Sequence, residues 1–267
     1  MLVCRRGVKP SKGYIQNTVV NNVKACIVAI QFLTRIQLAR VGEVTPEDLG
    51  RSVGCFPVAG ACIGLLLAGF SLVMAAWLPP GVLACVLILL ELVITGGLHC
   101  DGLMDTMDGI FSGRSRSRML EIMKDSRVGA FGVMSFGVFL LMKWSVLAEL
   151  LPHPAALALF IMPVVGRFAA VMAICLFPYG RPEGLGKVFA EYAGRKRLWV
   201  ALAWTLLFTV PFGLKPALCL VIAGVFALAL ARYLQRLLDG LTGDTYGAII
   251  ELTEVAVLLT FLAVRQY

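Results

Sequence analysis

Residues 99–108 read His-Cys-Asp-Gly-Leu-Met-Asp-Thr-Met-Asp, and the carboxylates of Asp101, Asp105 and Asp108 recur at offsets of four and seven. At helical pitch these offsets place all three within about 60° of one face. Like charges so arranged repel unless a cation sits among them. Magnesium, a hard ion held by carboxylate oxygens and shared with substrate phosphates, is the natural occupant. A solvated acidic turn at a membrane surface is the simpler alternative, but Arg114, Arg116, Arg118, Lys124 and Arg127 follow directly. Acids and bases in that order suit a metal and phosphate site.

Three further polar segments could converge with this stripe. In Lys124-Asp125-Ser126-Arg127, the lysine supplies a point charge and the arginine a planar fork for phosphate oxygens; either could instead snorkel at an interface. The run from Tyr179 to Gly186 holds Arg181 in a Gly/Pro-rich turn, where the same composition serves a plain turn. The third, Thr242-Gly243-Asp244, is followed by Glu251 and Glu254 just inside an apolar run. Acids at membrane depth are expensive and mark functional sites by default. Asp244, Glu251 and Glu254 form a second acidic group, so two magnesium ions could flank a diphosphate. Glu91 and Arg167 read as an internal ion pair without a catalytic role. His99 fits a general base or an interfacial cap equally well.

The elements that must position these residues are membrane helices. The chain has 267 residues, 59% of them hydrophobic and only 15% charged, with a mean hydropathy of +0.87. This lies outside soluble composition. With roughly 20 apolar residues to a span, seven candidates fall at 53–78, 80–98, 128–151, 154–178, 198–213, 215–231 and 248–264. The fifth and sixth are short. Alternating them from a cytoplasmic N-terminus puts 20 of the 24 Lys and Arg on one side, in 1–52, 99–127, 179–197 and 232–247. That asymmetry is the positive-inside pattern. It accounts for most of the +8 net charge, so nucleic acid is not expected as a partner and a lipid surface is.

Residues 17–35 alternate polar and apolar positions at helical spacing, as an amphipathic interfacial helix does, with a shallow first span as the alternative. The preceding basic residues lack a signal-peptide core, and no cleavage is expected. The eight cysteines include no Cys-x-x-Cys pair and read as packing thiols. Zinc at Cys100 lacks companion ligands at finger spacing. The expected fold is all-α: a polytopic integral membrane helical bundle of about seven spans plus the N-terminal helix. Residues 1–16 form a basic tail and 17–267 a single membrane-embedded catalytic domain.

Several motifs occur together in one order: Phe32 to Arg35; Phe56-Pro57 with Gly60 and Gly64; Gly96 to Gly109; Ile122 to Gly132; Arg181 to Gly184; and Thr242-Gly243-Asp244. Together, over roughly residues 30–260, they resemble the cobalamin synthase family, the adenosylcobinamide-GDP ribazoletransferases. Cys100, Met104 and Met107 stand where small or aliphatic residues are expected, and Asp239-Gly240 replaces a glycine pair.

The resemblance implies a magnesium-dependent enzyme of the bacterial cytoplasmic (inner) membrane, acting late in cobalamin synthesis with its active site facing the cytoplasm. It would join adenosylcobinamide-GDP to alpha-ribazole or its 5′-phosphate and release GMP. On that reading Asp101, Asp105 and Asp108 hold one magnesium, and Asp244, Glu251 and Glu254 hold or orient a second. Lys124, Arg127 and Arg181, with Arg35 from the first motif, bind phosphate or substrate, and Asp125 and His99 are candidate bases. A second copy of the chain and other cobalamin-assembly enzymes are candidate partners. Rival readings are a CDP-alcohol phosphotransferase, which would want Ala-Arg where Asp105-Thr106 stands, and a prenyltransferase, which would want an acid or Asn beside Asp101. An ion-coupled transporter would spread its charges through the bilayer depth.

Overall fold

A computed structural model describes residues 12–264, with side chains from Asn21 onward. The chain folds into helices α1 (Lys12–Leu33), α2 (Pro46–Ser52), α3 (Phe56–Met74), α4 (Pro80–Thr95), α5 (Leu98–Phe111), α6 (Arg116–Ile122), α7 (Ala130–Leu150), α8 (Ala156–Leu176), α9 (Leu185–Thr209), α10 (Leu214–Leu238) and α11 (Gly243–Val264). Among the described residues the only β contact is an isolated parallel bridge between Tyr179 and Leu241.

Five stretches are long and apolar enough to cross a membrane: Pro46–Met74, α7, α8, α10 and α11. A sixth would join α4 to α5, but the two meet at 94°. The protein is therefore a multi-pass membrane protein. The expected span at 198–213 is the second half of α9, whose first half carries Lys187 and Glu191 and whose break at Gly194 is followed by Arg195, Lys196 and Arg197. Those charges keep α9 from qualifying by composition. Its course still links opposite ends of the bundle. Gly186 packs on Tyr179 at one end, and Phe208 and Phe212 meet Phe160, near the start of α8, at the other.

α8 is the central helix, buried almost throughout from Ala158 to Ile174. α3 approaches it closely because Gly60 and Gly64 leave room. A Cβ there would stand 2.3 Å from the Pro163 carbonyl oxygen and 2.5 Å from that of Phe160. Small residues four apart are a general device for packing membrane helices backbone to backbone. α7 and α10 leave many apolar side chains facing outward, among them Val138, Leu141, Val221 and Val225, as lipid contact requires.

α1 buries Ala25, Ala29, Ile30 and Leu33 in the main core, and Val28 is buried as well, so its apolar face is covered by protein. It starts at Lys12, ahead of the expected boundary at 16; residues 1–11 lie outside the described residues. Lys24 on its polar face reaches Asp48 at 2.6 Å. Asp48 and Thr45 form a capping box at the start of α2, which satisfies two otherwise free backbone donors.

Candidate active site

The α4–α5 corner is made by Gly96 and Gly97, at φ 67° and 72°. Two consecutive left-handed residues are tolerable only because neither carries a Cβ. The turn ends α4 at Thr95 and sends α5 across the bundle onto α11. There Gly102 and Gly247 let backbones touch: a Cβ on Gly102 would lie 2.7 Å from the Asp244 carbonyl oxygen, and one on Gly247 2.9 Å from that of His99. The acidic stripe is thereby held against the first turn of α11.

The loops carrying Arg181 and Asp244 are stapled together. Gly180 N donates to Leu241 O at 2.7 Å and Leu241 N to Pro178 O at 2.8 Å. Arg116 of α6 clamps the same place through Leu238 O at 2.6 Å and Gly180 O at 3.1 Å. Thr242 then accepts from Thr245 N and donates to Asp244 Oδ2, both at 3.3 Å.

A cavity of about 470 Å³ opens at this junction. Asp101, Asp244, Arg181, Lys124, His99 and Tyr246 line its polar part, and Phe32, Phe56 and Phe189 its apolar part. Asp101 is exposed and Asp105, one turn further along α5, is half-buried. Asp105 lies in the fields of Asp101 and Asp244, opposed by Arg181. Arg181 Nη2 stands 2.7 Å from Asp244 Oδ2. It is misaligned for a hydrogen bond, however, and its Nε and Nη2 remain buried without hydrogen-bond partners.

The structure thus brings Asp101, Asp105, Asp244, Arg181, Lys124 and His99 together and directs the other candidates elsewhere. Asp108 is buried; its oxygens accept the amides of Gly129 and Gly132, at 2.7 and 2.8 Å, in the first turn of α7. Both oxygens are thus engaged as an N-terminal cap. Glu251 and Glu254 lie below the cavity in a buried ion network. Lys143 Nζ is 2.9 Å from Glu91, 3.3 Å from Glu251 and 2.9 Å from Glu254. Arg167 pairs with Glu254. The expected Glu91–Arg167 pair is accordingly replaced by Lys143–Glu91 and Arg167–Glu254. Glu251 also accepts from the Cys100 thiol at 3.4 Å. The separate second metal group expected of Asp244, Glu251 and Glu254 does not assemble, because seven and ten residues of helix are roughly 10 and 15 Å of rise.

Asp125 and Arg127 are exposed and pair with each other at 2.8 Å, outside the cavity. Hydrogen bonds from Arg127 hold the Asp125 carboxyl down at about 2, which makes it a feeble base at neutral pH. Arg35 packs against Gly96 at the α4–α5 corner. Its backbone N donates to Ile94 O at 2.7 Å, so it braces the bend. Residues missed in the sequence reading include Lys143, which stands alone in an apolar run, and Tyr246 and Phe189, ordinary core residues by pattern. Arg116 was visible only as one of a basic run.

Hard oxygen donors, one guanidinium and one ammonium around a partly apolar cavity define a helical membrane protein with a site suited to phosphoryl chemistry. Residues 25–262 match the cobalamin-5-phosphate synthase (CobS) family, and the chain belongs to it. An adenosylcobinamide-GDP ribazoletransferase of Desulfitobacterium hafniense is 44% identical over 239 residues, covering 87% of this chain and 94% of that protein. Proteins of the same name from Fusobacterium nucleatum and Geotalea daltonii are 34% and 37% identical, covering 92% and 89% of this chain and 99% and 96% of theirs. No solved structure matches.

Proposed function

We propose that this chain carries out the ribazole transfer for which its relatives are named, at the cavity between α5, α11 and the 177–184 loop. The gathering of Asp101, Asp105 and Asp244 opposite Arg181 and Lys124 is the observation that carries the reading. The ribazole 3′-hydroxyl attacks the phosphorus bearing the cobinamide aminopropanol arm. A new phosphorus–oxygen bond forms there, the bond to the GMP oxygen breaks, and the hydroxyl proton passes to water or to the departing GMP phosphate. Arg181, whose Nε is buried without a hydrogen-bond partner, and Lys124 are placed to neutralise phosphate oxygens as charge shifts to GMP.

Magnesium fits this donor set. Among the described residues no three acidic, His or Cys side chains are placed to hold a metal ion together; a magnesium ion held by one or two carboxylates and completed by water and substrate phosphates needs no such group. Two of the carboxylates of Asp101, Asp105 and Asp244 would hold it, with substrate phosphates completing its shell, and when bound it would supply positive charge to the diphosphate. The two-ion reading loses its second ligand set to the buried network. The basic end of the bundle, which contains the cavity, faces the cytoplasm, and the membrane is the bacterial inner membrane.

The test is GMP release by the purified protein in lipid, from adenosylcobinamide-GDP and alpha-ribazole 5′-phosphate, with and without magnesium. Magnesium-dependent GMP together with a cobalamin product is expected. No product from a folded preparation returns the choice to other diphosphate transferases of the membrane.

A further inference from the structure

His99 stands in the first turn of α5, 3% exposed, in the wall of the cavity. Its Nδ1 lies 3.4 Å from Nη2 of Arg167. A guanidinium has donors only, so Nδ1 must be the acceptor, and a neutral imidazole then carries its single proton on Nε2. That Nε2 is buried without a hydrogen-bond partner. The Tyr246 hydroxyl and the Arg181 Nε, from the same cavity wall, are buried and unpartnered as well. Buried donors without partners are rare in native proteins and call for an explanation. Three of them on residues lining one cavity point to an acceptor-rich ligand.

We infer that His99 is a substrate-binding donor whose Nε2–H bonds an oxygen of the phosphate-bearing ligand, with its tautomer fixed by Arg167. The inference rests on the phosphoryl-transfer reading of the cavity and assigns a role within it. It also removes His99 from the candidate bases, because neither ring nitrogen keeps a free lone pair: Arg167 occupies that of Nδ1, and Nε2 bears the proton. Arg167 is held in turn by Glu254, which also accepts from Lys143 at 2.9 Å. Glu254, expected as a metal ligand, becomes a positioning residue acting through Arg167. That role gives an acid at this depth a reason to be there.

The chain contains two histidines, so nitrogen-15 histidine labelling of the whole protein yields two imidazoles, assigned with His153→Gln. At neutral pH, His99 should show a pyridine-type Nδ1 and a pyrrole-type Nε2. The opposite tautomer or an imidazolium overturns the inference, whether or not the protein turns over cobinamide substrate. The second arm is kinetic. His99→Leu should lower kcat/KM for GMP release by about 10- to 100-fold, the effect of losing one hydrogen bond to a charged group. His99→Gln, whose amide N–H falls near the Nε2 position, should recover most of the activity lost in His99→Leu. A folded His99→Gln protein as impaired as His99→Leu would show that the imidazole itself is required, against the inference; so would a fully active His99→Leu. Wild type without GMP release counts against the transfer reading instead, and the nitrogen spectra then decide the tautomer alone.

Discussion

Asp101 and Asp108 share one stripe of α5 yet lie about 10 Å apart along its axis at 1.5 Å per residue. A single ion cannot be ligated by both, which is why a pattern read as one cluster divides into two tasks. Asp101 lines the cavity with Asp244 and Asp105 lies in the fields of both, while Asp108 closes the start of α7. The two tasks should separate on substitution. Asp105→Asn is expected to lower GMP release by about 100-fold or more while the melting temperature in detergent changes little, since it removes charge from the site and no packing. Asp108→Ala strips two amides of a charged acceptor and should cost about 2–4 kcal/mol of stability. It should lower the melting temperature and leave the magnesium concentration for half-maximal activity unchanged. Asp125→Asn should leave the pH profile unaltered: its carboxyl, held at about 2, is ionised throughout the range assayed, so no limb above about pH 4 belongs to it.

The helices themselves were largely legible in the sequence. The spans read at 53–78, 128–151, 154–178, 215–231 and 248–264 correspond to α3, α7, α8, α10 and α11, because length and unbroken hydropathy decide them. Less legible was the corner at Gly96-Gly97. A glycine pair inside an apolar run permits either a continuing helix or a 94° bend, and the packing of α5 on α11 selects the bend. The corner matters because α5 then meets α11 through Gly102, with the Asp244 carbonyl and Cα as its nearest neighbours. Gly102→Ala forces these backbones apart, since neither neighbour is a side chain able to swing away. Displacement of the carboxylates by about 1 Å should cost about 100-fold in kcat/KM. Gly69→Ala, whose Cβ meets nothing within 4 Å, should be silent. Equal activity of the two variants would mean that the α5–α11 contact does not set the site geometry.

Across the whole molecule, the site stands on a buried charged floor that the sequence disclosed only in part, as an internal pair of Glu91 with Arg167 and two acids at membrane depth. Glu91 of α4, Lys143 of α7, Arg167 of α8 and Glu251 and Glu254 of α11 converge from four helices whose order in the chain says nothing of which faces meet. Three carboxylates share two cations there, with Lys143 touching all three. Burying charges is expensive, and a buried pair gains little overall against apolar residues of the same shape, but removing one partner leaves an uncompensated ion. The network should therefore respond asymmetrically. Lys143→Met leaves three carboxylates facing one another and is expected to cost about 3–5 kcal/mol, seen as a collapse of detergent-extracted folded protein or a large fall in melting temperature. Glu91→Gln removes the excess negative charge, keeps the shape and preserves an acceptor for Lys143, so the protein should fold with near-wild-type stability. It should also retain GMP release, because Glu91 reaches neither Arg167 nor the cavity. Glu254→Gln separates floor from site: loss of its charge weakens the hold on Arg167 and so on His99. Turnover should then fall more than the melting temperature of the same preparation, whereas a purely structural floor would lose the two together.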